Sequence, residues 1–150
     1  MALEKQTEMT AAETDALLGR HETGVLSLAR DDEPYSIPIS YGYDASDRTF
    51  YLRLVSTPES EKRAFLSSSP TARIVVQESD DRTYRSAVAK GTLEEISTDE
   101  MTVEHVEQFG DAKRPLFEVW GESKRDLRIQ LYQLDADSVS GRHIELEPDA

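Results

Sequence analysis

The residues best suited to chemistry are cations and hydroxyls gathered over one short stretch: Arg53, Ser56, Thr57, Lys62 and Arg63. Just upstream runs Ile37-Pro-Ile-Ser-Tyr-Gly-Tyr43. A hydroxyl-bearing turn that feeds a helix N-terminus, with two or three cations in reach, is a site for an anion. The helix end contributes ~0.3–1 kcal/mol at an exposed site, and charge-assisted hydrogen bonds contribute more. In a chain of formal net charge −13, a dianion such as a phosphate monoester requires such a local reversal of sign. The same residues also admit a purely structural reading. In that reading Thr57 only caps the helix, and Arg53 and Lys62 pair with Glu59 or Glu61.

Other chemistries are unsupported. There is no cysteine, which removes disulfides, thiolate zinc sites and Cys nucleophiles. No Gly-rich strand-to-helix loop of dinucleotide or P-loop form is present, nor a Gly-x-Ser-x-Gly elbow. His21, His105 and His143 are scattered, with no i, i+4 pair to suggest a metal site. Carboxylate pairs such as Glu94-Glu95 and Asp80-Asp81 read as hydrated surface among thirty acidic residues.

The elements that must position these residues follow from pattern. Thr10 and Glu13 have the spacing of a capping box, predicting a helix that Gly19 ends. Gly24–Arg30 reads as a strand closed by a turn at Asp31–Pro34. Tyr35, Ile37, Ile39, Tyr41 and Tyr43 alternate with Ser36, Pro38, Ser40, Gly42 and Asp44, the period of a half-buried strand. Pro38 cannot donate to a ladder, so it calls for an edge, a bulge or a place where a ligand meets the backbone. Thr49–Val55 is the third strand, followed by a helix over Glu59–Ser68 with Thr57 as N-cap and Pro58 at N1. Thr71–Gln77 and Tyr84–Ile96 make a hairpin around Asp80–Arg82. Ser97 and Glu100 offer a second capping box, for a helix over 98–109. A Pro-interrupted segment, Lys113–Glu122, leads to a last strand in which Leu127, Ile129 and Leu131 alternate with Asp126, Arg128 and Gln130. Antiparallel strands with one helix between the third and fourth imply a mainly β fold, a small closed or partly closed barrel.

One domain accounts for 150 residues, with 1–9 expected as a flexible N-terminal tail and 143–150 as a C-terminal tail. Thirty Asp plus Glu against seventeen Lys plus Arg describe a surface that repels nucleic acid and anionic membrane. Only five of the seventeen cations are lysines. With little bulky apolar residue besides, this resembles the composition of a halophilic protein, whose solvent salt screens self-repulsion. No stretch is long and apolar enough for a membrane helix, and the start lacks the n- and h-regions of a signal peptide. A cytoplasmic protein is the expectation.

Pro38-Ile-Ser-Tyr-Gly-Tyr43, then Phe50-Tyr-Leu-Arg53, then Lys62 with Pro70 eight residues on, then Tyr84-Arg-Ser86 with Gly91, resembles the FMN-binding split-barrel family. That family includes pyridoxamine 5′-phosphate oxidase and the nitroimidazole-resistance, nitroreductase-like proteins. The resemblance covers about residues 10–142 and ends in Ser140-Gly-Arg142. It implies a six-stranded antiparallel Greek-key split β-barrel, a homodimer, and two FMN sites at the subunit interface. It assigns backbone contacts with the flavin to Ile39, Ser40 and Tyr41, and the phosphate to Arg53, Ser56, Thr57 and Lys62. Ser86 matches a position beside the flavin, and Trp120 an aromatic that arrives from the neighbouring subunit; a dimer-interface or core anchor explains Trp120 equally well. Glu61 stands where many relatives have a basic residue, removing one phosphate contact. The C-terminal arginine and histidine set that grips pyridoxamine phosphate is not recognisable, so the likeness does not reach that substrate. The implied activity is transfer of reducing equivalents from a nicotinamide or another reductant to a small oxidised substrate. A non-catalytic flavin-binding or redox-sensing protein, or a barrel holding haem or deazaflavin, is the alternative.

Overall fold

Thr10 and Glu13 close their capping box: the Glu13 N–H donates to Thr10 Oγ1 at 3.1 Å and the Thr10 N–H to Glu13 Oε1 at 3.0 Å. Helix α1 (Ala11–Arg20) starts there and runs one residue past Gly19, its expected end, before His21 turns extended. The computed structural model describes residues 4–56, 61–67, 70–97 and 128–146. The strands are β1 (Glu4–Glu8), β2 (Thr23–Arg30), β3 (Glu33–Asp44), β4 (Thr49–Ser56), β5 (Thr71–Asp80), β6 (Thr83–Glu95) and β7 (Arg128–Leu146). A six-residue helix, α2 (Glu61–Leu66), stands between β4 and β5. The helix expected over 98–109 and the segment 113–122 lie outside the described residues.

Two-residue turns drive the hairpins. Arg30 pairs with Glu33 across Asp31–Asp32, and Asp80 with Thr83 across Asp81–Arg82. Asp31 (φ 56°) and Asp81 (φ 49°) take the left-handed conformation, which Asp tolerates better than most residues. Neighbouring strands run in the order β7-β4-β3-β2-β5-β6, and β6 pairs back onto β7. Six strands therefore close a ring, as expected. β1 is a seventh strand, added to β7 from Glu4↔Leu146 to Glu8↔Arg142. This corrects the two expected tails over their described residues: 4–8 pair with 142–146.

Inside the ring, Leu26, Phe50, Leu52, Ile74, Ala89 and Leu134 are fully buried. The core face of β7 carries Tyr132 and Leu134, whereas Leu131 is only half-buried. Register explains this departure from the apolar alternation of 127, 129 and 131. Tyr132 lies opposite Leu52 and Leu134 opposite Phe50, and directly opposed residues share a face. A register shift at Lys90/Gly91 lets β7 bend. The helices cover opposite ends of the ring. The hydroxyl of Tyr41 donates to the Leu18 carbonyl in α1 at 2.7 Å, and that of Tyr43 to Asp15 Oδ1 at 2.6 Å. At the other end of β3, Tyr35 stacks on Phe65 of α2 with ring centroids 5.0 Å apart.

Candidate functional site

Strand β3 changes partners midway. The Tyr41 N–H donates to the Glu22 carbonyl at 2.9 Å, and the same register puts Ile39 opposite Gly24 and Ile37 opposite Leu26. In an antiparallel ladder the intervening residues, Pro34, Ser36, Pro38 and Ser40, then turn their backbone groups away from β2. β4 takes that second edge from Asp44↔Thr49 to Tyr41↔Leu52 and no further, while it continues along β7 to Ser56↔Arg128. The two strands thus part at Ser40 and Arg53. Pro34 and Pro38 both lie on the parted edge, where a missing N–H removes no ladder bond.

Around this split the side chains sort by face. Ile39 and Tyr41 point into the core, so only their backbones could meet a ligand. The Tyr41 N–H is already engaged by Glu22, which removes that one group from the expected set. Ser40 is buried on the opposite face, the one shared by Arg53. Arg53 is half-buried, and among the described residues its Nε is buried without a hydrogen-bond partner. The expected Arg53–Glu61 pair is not formed. Glu61 is exposed and lies near enough to Tyr35 to add to the effect of burial in raising that phenol's pKa. Lys62, on α2, is half-buried, and loss of solvent lowers its pKa.

Helix α2 is described over Glu61–Leu66, and its expected start at Thr57–Glu59 lies outside the described residues. The expected phosphate-seat cations that are described are Arg53, at the split, and Lys62, on α2. Ser56 ends β4 opposite Arg128, while Thr57 and Trp120 lie outside the described residues. Ser86 sits on β6 opposite Gln77, and Ser40 on β3 opposite Thr23. The β2–β5 register, Val25↔Val75, continues to set Thr23 level with Gln77, so Ser86 lies about three strand spacings, roughly 14 Å, across the sheet from Ser40.

A phosphate-bearing flavin fits the residues present. Buried N–H groups are almost always satisfied, so the Nε of Arg53 marks a position where an acceptor belongs. An anion beside Lys62 would restore the charge that burial disfavours. With FMN bound, Arg53 and Lys62 would hold the phosphate, and the parted edge of β3 would face the ring. The flavin itself supplies the electron chemistry.

Two further groups escape a reading of the sequence. Gln133, opposite Tyr51 on the face that carries Arg53, also has a buried, unpartnered atom, its Oε1. Nothing in the run Leu131-Tyr-Gln-Leu134 singles it out; only the β4–β7 register does. Under α1, Glu78 accepts from Arg20 (2.9 and 3.0 Å) and Arg85 (3.1 Å), and lies 2.6 Å from His21 Nε2. The bonds from Arg20, ahead of that from His21, pull its pKa down to about 2. This cluster ties α1 to β5 and β6.

A family model described as pyridoxamine 5′-phosphate oxidase matches residues 10–143. No curated protein matches the chain in sequence. Among solved structures, the chain is similar to a Bacteroides thetaiotaomicron protein with a suggested role in 5-nitroimidazole antibiotic resistance (TM-score 0.72, 17% identity, 100% of this chain and 96% of that one). It is also similar to a FAD-binding protein of Mesorhizobium loti (TM-score 0.67, 24% identity, 94% and 98%). A third is the FAD-binding protein of Mycobacterium smegmatis (TM-score 0.66, 15% identity, 93% and 98%). At these identities the likeness establishes the fold alone. Among the described residues, no helix is long and apolar enough to cross a membrane, and no cluster of His, Asp and Glu offers a metal site.

Proposed function

The chain belongs to the pyridoxamine 5′-phosphate oxidase family, and from that membership we propose that it is an FMN-binding oxidoreductase passing reducing equivalents to a small oxidised substrate. The observation that carries this reading is the buried, unpartnered Nε of Arg53 at the point where β3 and β4 part. In a shell of net charge −13, a guanidinium with a buried Nε and a lysine whose charge is disfavoured make sense together as a phosphate seat. The flavin binding of the M. loti and M. smegmatis neighbours supports the cofactor class. An isoalloxazine carries the electrons itself, so the protein needs to supply placement and hydrogen bonds rather than an acid or base.

The working unit is a homodimer. Val25 (40% exposed) and Tyr84 (44% exposed) stand on the outer face of the ring, an apolar surface suited to a second copy. Light scattering at near-molar salt should give twice the 16.9 kDa chain mass; a single-chain mass refutes the dimer.

The function itself is tested spectroscopically. Freshly purified protein in high salt should bind FMN and absorb near ~450 nm, and a nicotinamide should bleach that band under anaerobic conditions. Nitroaromatic or quinone acceptors should then restore it. Bound flavin that no reductant bleaches overturns the enzyme reading, and a haem Soret band in place of the flavin band overturns the cofactor.

A further inference from the structure

We infer that Gln133 reads the ligand of this site, accepting a hydrogen bond from a hydroxyl that neighbours the anionic group held by Arg53. The inference rests on the phosphate-seat reading above and extends it to the polyol part of the molecule.

Among the described residues, two buried side-chain polar atoms lack a partner: Arg53 Nε, a donor, and Gln133 Oε1, an acceptor. They are neighbours. Tyr51 lies opposite Gln133 and Arg53 opposite Leu131, so Arg53 and Gln133 occupy diagonal positions on one face, about 7–8 Å apart at their Cα atoms. That face is the outer one, since Leu52 and Leu134 point into the core.

The amide of Gln133 has its orientation set by chemistry. Its Nε2 donates to Asp135 Oδ1 at 2.8 Å, and that same oxygen accepts from Thr49 Oγ1 at 3.3 Å. A carboxylate only accepts, so turning the amide over would set two oxygens against each other. Asp135 therefore positions Gln133 with its carbonyl oxygen toward the buried side. An unfilled buried acceptor costs stability and persists where a ligand completes it.

A donor and an acceptor side by side ask for a ligand with the complementary pair, an anionic oxygen and an adjacent hydroxyl. A phosphorylated sugar alcohol has both, as in the ribityl phosphate of FMN. Sulfate dianion, which has no hydroxyl, would satisfy Arg53 and leave Gln133 unfilled. The charge of Asp135 also fixes polarity, keeping the anionic end toward Arg53 and the hydroxyl end toward Gln133.

The test compares FMN with riboflavin, which keeps the hydroxyls and lacks the phosphate, by quenching of flavin fluorescence. Gln133→Met removes the acceptor at similar length. It should weaken both flavins by the same factor, roughly 3–10-fold, the range for one neutral hydrogen bond. Arg53→Met should weaken FMN and leave riboflavin unchanged. Thermal unfolding without flavin supplies the second readout: Gln133→Met should melt no lower than the parent, because an unfilled acceptor has gone. Should that variant fail to fold, Asp135→Asn, which frees the amide to turn over, should give the same loss on both flavins. Unchanged affinity for both flavins in a folded variant overturns the inference alone, as does a loss confined to FMN. A parent protein that binds neither flavin overturns the phosphate seat and this inference together.

Discussion

Replacing Arg53 with methionine should move two observables in opposite directions. The guanidinium Nε is buried without a partner, and a buried unsatisfied donor costs about 1–3 kcal/mol. Methionine keeps much of the apolar length and carries no N–H. Because Leu52 and Leu54 face the core while Arg53 faces away from it, the barrel interior is untouched. Arg53 is only half-buried as a whole, so the lower end of that range applies, about 1 kcal/mol. For a chain of this size such a gain raises the melting temperature of the flavin-free protein by roughly 2–4 °C. The loaded protein should behave oppositely. A charge-assisted hydrogen bond to phosphate contributes about 1.5–3 kcal/mol, so FMN affinity should fall roughly 10- to 150-fold. Unfolding followed by circular dichroism and flavin fluorescence titration, both at one fixed salt concentration, measure the pair. A variant that is less stable without flavin and binds FMN like the parent would refute the reasoning, because Arg53 would then serve the fold and not a ligand.

Lys62→Ala should weaken FMN binding by about 1.5–3 kcal/mol, read by the same titration. Because burial lowers the Lys62 pKa, binding an anion beside it should draw a proton onto the amine, so FMN affinity in the parent should be flat below that pKa and decline as pH rises through it; the decline should vanish in the variant. Glu78→Gln removes the charge that binds Arg20, His21 and Arg85 and should destabilise the chain by about 1–3 kcal/mol at neutral pH. Its pKa is held near 2, so the stability it supplies is complete above the ordinary value of 4.5 and is lost as pH falls from there through about 2. Urea unfolding of parent and variant should converge over that window. Gly91→Ala should destabilise by about 3 kcal/mol or more, visible as a lower urea midpoint. The added Cβ would collide with the Asp135 carbonyl and lie 2.8 Å from its carbon, and backbone at a bulge has little room to shift.

Much of the barrel is written in local pattern. The capping box at Thr10 and Glu13, the two-residue turns at Asp31 and Asp81, and the alternation through Tyr35–Tyr43 each depend on neighbours within a few positions. What pattern misses is set by partners far along the chain. The core face of β7 is decided by register against β4, which brings Tyr132 inside in place of Leu131. The seventh strand depends on Glu4–Glu8 finding 142–146. The site divides in the same way. Arg53, Lys62 and the proline-bearing edge were readable from residue type and spacing. Gln133 was not, since a lone polar residue in an apolar strand acquires meaning only when its cross-strand neighbours are known.

The most direct measurement is a crystal structure of the protein grown with excess FMN in high salt. The phosphate should lie within hydrogen-bonding distance of Arg53 Nε and the Lys62 ammonium, with the ring along the parted edge of β3. Clear density for Arg53 paired to one of the protein's own carboxylates, with FMN bound elsewhere or not at all, would contradict the account.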